Sequence, residues 1–155
     1  MELRTKFLVW KITKLWVQFF LITITLGIAA FILGHIIWPN SLSINFTPNQ
    51  MHWLNALSLV ESLLFGFGVA FFFLGWPLVN KASKSKNLTR AAFISFSWIL
   101  VSWWPHDMAH LHNYFEPQGF LNIEYGFHLT VIIAALILAY YFLNSIKYSA
   151  LESNR

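Results

Sequence analysis

Four apolar stretches divide this 155-residue chain, and its charged residues fall mainly between and around them. A membrane-spanning helix needs about 20 mostly apolar residues. The stretches run from about Leu15 to Trp38, Leu54 to Leu78, Leu88 to Trp104 and Asn122 to Ile146. Pro77 marks the end of the second. Pro105 ends or kinks the third, which is the shortest, because proline removes a helical hydrogen bond. Proline also suits a first helical turn, so a short further helix is expected over Pro105–Phe115. The first stretch is too long for a signal-peptide core and lacks a small-residue cleavage site, so it reads as a retained span. The pattern predicts an all-α integral membrane protein. It forms a single domain over residues 1–155, with four transmembrane helices arranged as two hairpins.

Charge orients those hairpins. Arg4, Lys6, Lys11 and Lys14 precede the first span, and Lys81, Lys84, Lys86 and Arg90 surround the central loop. Lys147 and Arg155 follow the fourth span. No Lys or Arg lies in Pro39–Trp53 or Pro105–Leu121. By the positive-inside rule both termini and the central loop are cytoplasmic, and the two remaining loops are extracytoplasmic. Trp10, Trp16, Trp76, Tyr140 and Tyr148 then form an inner aromatic belt, with Trp38, Trp53, Trp103 and Trp104 in the outer one. The expected location is the plasma membrane or its equivalent.

Composition narrows the function classes. Charged residues make up 10% of the chain, against about 25% in soluble domains. The net charge of +4 sits at membrane interfaces, not on a polar helix, so nucleic-acid binding is not expected. There is no cysteine, which excludes disulfides, thiolate metal sites and thiol catalysis. The expected partners are membrane lipids and other membrane subunits. Ala30 and Gly34, and Gly66 and Gly68, are small residues suited to close helix packing. Of the three rings in Phe71-Phe72-Phe73, at least one should face lipid or a partner. The two outer loops share a Trp-Pro opening and a later Phe-x-Pro, a pattern that duplication of a two-helix unit or chance would produce. Asn45-Phe46-Thr47 is a glycosylation sequon on the outer side.

The candidate chemistry is confined to one face. All six His residues (His35, His52, His106, His110, His112, His128) and four carboxylates (Glu61, Asp107, Glu116, Glu124) lie in or beneath the outer loops. No Lys or Arg is there to neutralise the acids. A carboxylate near lipid costs several kcal/mol unless paired. The choices are a protonated acid, a His–carboxylate pair, a cation from another subunit, or a metal. His106 and His110 are four apart and share a helix face. Glu124 and His128 form a second such pair. His-Asp-Met-Ala-His is similar to the zincin motif H-E-x-x-H, with the shorter Asp in place of Glu. The predicted metal ligands are therefore His106, His110, His128 and Glu124, with His35 and Glu61 ranked behind them. Asp107 and Glu61 are the candidates for acid–base work. Imidazole and carboxylate donors without thiolate suit copper or zinc ahead of iron.

These features suggest a metal-binding subunit of a membrane redox complex, of oxidase or monooxygenase type. Three alternatives stand beside it. One is a membrane zinc hydrolase built on H-D-x-x-H. Another is a b-type haem protein with an axial pair such as His35 and His128. The last is a structural subunit whose polar cluster only binds a neighbour. Membrane desaturases and hydroxylases carry several histidine boxes, and this chain carries one.

Overall fold

The computed structural model describes residues 2–37, 46–82, 85–112 and 117–152. Among these the secondary structure is helical: α1 (Glu2–Ile37), α2 (Pro48–Ala70), α3 (Trp76–Ala82), α4 (Lys86–Val101), α5 (Trp103–His112) and α6 (Pro117–Glu152). A π-helical turn at Phe71–Gly75 fuses α2 to α3. Three helical stretches are long and apolar enough to cross a membrane: one in α1 over residues 9–36, Pro48–Ala82 and Pro117–Ile146. The third apolar run is divided instead. It forms the 16 residues of α4, about 24 Å long, then a turn at Ser102, then α5.

The helices outrun the apolar stretches that predicted them. α1 and α6 have 36 residues each, about 54 Å against a hydrocarbon core of about 30 Å. α2 starts six residues before Leu54 because a capping box nucleates it. The Thr47 N–H donates to Gln50 Oε1 at 2.8 Å, the Thr47 side chain accepts from the Gln50 N–H, and Pro48 fills the first helical position. This satisfies two end groups that would otherwise be orphaned.

Pro77 does not end its helix, contrary to expectation. The chain stays helical to Ala82. The π turn, closed by the Trp76 N–H donating to Phe71 O, widens the helix just ahead of the proline ring. The break near Pro105 falls three residues earlier, at Ser102. Pro105 then occupies the first turn of α5, where a missing N–H is tolerated.

α2 runs between α1 and α6, and α6 packs on α4, α3 and α2. Phe19, Phe71, Val79, Phe96, Ile99, Leu138 and Phe142 are buried at the centre. Phe19 stacks on Phe142 with ring centroids 4.7 Å apart, and Trp16 meets Phe142 edge-on at 5.2 Å. Trp98 Nε1 donates to Thr130 Oγ1 at 2.9 Å and ties α4 to α6. Of the phenylalanine run, Phe71 is buried while Phe72 and Phe73 face outward.

Small residues set the α1–α2 distance, but the contact is Gly27 against Gly66. A Cβ on Gly66 would collide with the Thr23 carbonyl oxygen, and one on Gly27 would fall 2.9 Å from Leu63 Cδ2. Gly68 is filled from α4, where Ile99 Cγ2 lies 2.7 Å from the position of a Cβ. Gly34, expected at an interface, has open space beside it.

Gly66→Ala is expected to lower the thermal midpoint in detergent. The obstacle is backbone, so overpacking there costs about 1–3 kcal/mol. Gly126→Ala, with nothing within 4 Å of its Cβ, should be neutral or stabilising. Equal midpoints for the two variants would contradict this packing.

Candidate metal centre

The α5 sequence Trp103–His112 places Ser102, His106 and His110 at four-residue intervals along one face. On α6, Phe120, Glu124, Phe127 and His128 repeat at three and four residues and meet that face. Three donor atoms converge where the helices touch. His106 Nε2 and His110 Nε2 are 2.9 Å apart. Glu124 Oε1 lies 3.4 Å from the first and 3.1 Å from the second. The three side chains are 5%, 13% and 11% exposed. This buried His106/His110/Glu124 group could hold a metal ion.

Aromatic rings fix both imidazoles. Phe127 stacks on His106 at 4.1 Å and 18°. Phe120 lies over His110 at 3.9 Å, and Phe46 packs edge-on against Phe120 at 5.3 Å. Neither the two stacking rings nor Phe46 stood out in the sequence as site residues. Phe120 and Phe127 flank Glu124 by four and three residues, and that spacing was the available signal.

The opposite edge of His106 faces two more acids. Asp107 Oδ1 is 3.5 Å from His106 Nδ1 and Glu61 Oε1 is 3.9 Å away. Glu61 reaches the site from α2, so three helices contribute. His106 Nδ1 is buried and, among the described residues, has no hydrogen-bond partner.

His128 behaves differently from its i, i+4 partner. Its Nδ1 lies 2.7 Å from the Glu124 carbonyl oxygen and its Nε2 lies 2.8 Å from the Leu57 carbonyl oxygen. A neutral imidazole donates to one of these, and only the doubly protonated ring donates to both. Either way both nitrogens face backbone oxygens, not the Nε2 pair. The ring, 3% exposed, links α6 to α2. Its Nδ1 is also 3.4 Å from Glu124 Oε2, so it steadies the carboxylate whose other oxygen joins the triangle.

The remaining candidates lie apart. His35 is exposed on α1, with Nδ1 facing Phe31 O at 2.9 Å. His52 is exposed near the start of α2. Glu116 and Asn45 of the sequon lie outside the described residues, and the His112 side chain is not described.

No protein family, no curated protein and no solved structure matches the chain. The reading of the site therefore rests on its own geometry.

His128→Leu should reduce stability by about 1–3 kcal/mol, because the Leu57 and Glu124 carbonyls lose a buried donor. Thermal or denaturant unfolding in detergent measures this. A variant as stable as the parent would mean that the clamp between α6 and α2 carries no load.

Proposed function

We propose that this chain is an integral membrane protein holding a transition metal between His106, His110 and Glu124, at its extracytoplasmic face. One observation carries the reading. Two imidazole nitrogens and a carboxylate oxygen form a closed triangle with sides of 2.9, 3.1 and 3.4 Å. Metal–ligand bonds of about 2.0–2.1 Å place neighbouring donors about 3.3 Å apart in a tetrahedron and about 2.9 Å apart in an octahedron. The triangle matches one face of either. With its proton on Nδ1, toward Asp107 3.5 Å away, His106 would point its Nε2 lone pair into the triangle. A carboxylate commonly orients a ligating histidine in this way.

The donor set favours copper or zinc. Three protein donors leave a coordination position open, as reactive centres require. The donors are held between helices with little exposure, which suits a small substrate. We therefore assign it as a subunit of a membrane redox complex acting on a small molecule. The barely exposed donors favour this over a zinc hydrolase with Asp107 or Glu61 as base. His128 and His35 are assigned no ligand role.

In the same reading the chain crosses the membrane four times with both termini cytoplasmic. α4 and the first turn of α5 make the third crossing, with the site at the outer hydrocarbon boundary. The Lys and Arg distribution supports this orientation.

A second reading has its own support. At 2.9 Å the two Nε2 atoms are also within hydrogen-bond distance. A shared proton would then hold the triangle together in a structural subunit.

Protein purified in mild detergent should carry about one copper or zinc per chain by mass-spectrometric metal analysis, in line with a single site. His110→Ala and Glu124→Gln should lose it, and His35→Ala should keep it. A metal-free parent protein that stays metal-free after incubation with copper or zinc would leave the shared-proton reading. Because the native chain has no cysteine, single cysteines report sidedness cleanly. In sealed vesicles, Asn87→Cys and Gln118→Cys should react with an impermeant thiol reagent from opposite sides. Labelling from the same side would refute the topology.

A further inference from the structure

One whole side of α1 faces away from the other helices. Its inward side, at Phe19, Thr23 and Gly27, packs on α2 and α6. The opposite side carries Gln18, Leu21, Thr25, Ile28, Ile32 and His35, and all six are exposed. Leu21, Ile28 and Ile32 are 59%, 46% and 52% exposed. The six residues follow one another at intervals of three and four, the spacing of the seam between two helices in a left-handed pair. The apolar members suit lipid as well as they suit another helix. The polar members do not.

Gln18 and Thr25 decide what covers this face. The apolar stretch of α1 runs over residues 9–36. At about 1.5 Å per residue, Thr25 lies about 4 Å and Gln18 about 7 Å from its middle, inside a hydrocarbon core about 30 Å thick. Among the described residues, neither the Gln18 amide nor the Thr25 hydroxyl makes a hydrogen bond. Thr13 and Thr23 on the same helix return theirs to the Val9 and Phe19 carbonyl oxygens at 2.9 Å. Lipid offers an amide no partner, and side chains of this kind hydrogen-bond between helices instead.

An amide carries donors and an acceptor together, so a second amide at the same depth satisfies it. Two copies of one chain cross the membrane in the same direction, so their α1 helices run parallel. In a parallel pair with this spacing each seam residue faces its own counterpart. Gln18 then meets Gln18, and Thr25 meets Thr25. No Lys, Arg, Asp or Glu occurs between Lys14 and Ile37, so no like charges oppose each other within the lipid.

We propose that this face of α1 is the contact surface for a second copy of the chain, in a two-fold symmetric dimer whose register is set by the paired Gln18 amides. A single polar residue in an otherwise apolar seam fixes register in just this manner. The dimer does not require a metal between His106, His110 and Glu124.

The test uses the full chain in lipid vesicles and in native membranes. The chain has no cysteine, so Leu21→Cys and Ile28→Cys on the seam can be compared with Leu26→Cys and Leu33→Cys on the flank of α1. Mild iodine oxidation should join the seam variants into disulfide-linked dimers several-fold more efficiently than the flank variants. Energy transfer between donor- and acceptor-labelled copies should show that Gln18→Leu weakens self-association about three- to tenfold, while Gln18→Asn keeps most of it. Equal cross-linking at seam and flank overturns the proposal, as does Gln18→Leu associating as tightly as the parent. A seam cysteine that joins a different protein in native membranes, in place of a second copy, overturns it too.

Discussion

Three electron-rich atoms are held at 2.9 to 3.4 Å from one another in surroundings that provide no basic side chain. The rest of the molecule is organised around that constraint. Lone pairs at such distances repel unless something positive lies between them, and the repulsion is stronger away from bulk water. A soluble protein would place an arginine there. Here the positive species is a proton or a metal ion, and the helices are arranged so that either meets the same three donors.

The donors stay in place because each is held from behind. His106 is stacked on Phe127, with the carboxylates of Asp107 and Glu61 at 3.5 and 3.9 Å from its Nδ1. His110 lies under Phe120. Glu124 is steadied by His128, whose far nitrogen reaches the Leu57 carbonyl on α2. That last contact couples the site to the packing of α2, which is pressed against α1 at Gly27 and Gly66. The glycine crossing therefore helps to hold Glu61 at its distance from His106. The break at Ser102 contributes too. It lets α5 begin anew with Pro105 in its first turn and carry both histidines on one face.

Much of this was legible in the sequence, and the reasons are physical. Apolar length located the long helices, because lipid demands it. The i, i+4 spacings found His106 with His110 and brought Glu124 into view, because the helical repeat puts such pairs on one face. Spacing alone did not reveal where a ring nitrogen points. His128 shares a face with Glu124, yet both its nitrogens face carbonyl oxygens, one of them on another helix. Proline was overvalued as a stop signal at Pro77, because the π turn relieves the clash that usually ends a helix. Gly34 and Gly27 have the same composition signal, but only Gly27 meets a neighbour. The start of α2 was missed, since a capping box lies outside the apolar run it initiates.

The polar cluster also has an energetic reason to sit at the end of the bundle opposite the lysines. Long cationic side chains reach interfacial water from the ends of spans, whereas a short carboxylate or imidazole cannot. Glu124 meets His106, His110 and His128, His128 also reaches the Leu57 carbonyl, and Glu61 lies 3.9 Å from His106. Removing Glu124 takes the carboxylate from both His106 Nε2 and His110 Nε2. Such mutual dependence imposes order: the acid, the two imidazoles and the supporting rings adopt one arrangement or lose their partners together. A group assembled this way would need displacement of protons but little movement of the helices to take up an ion.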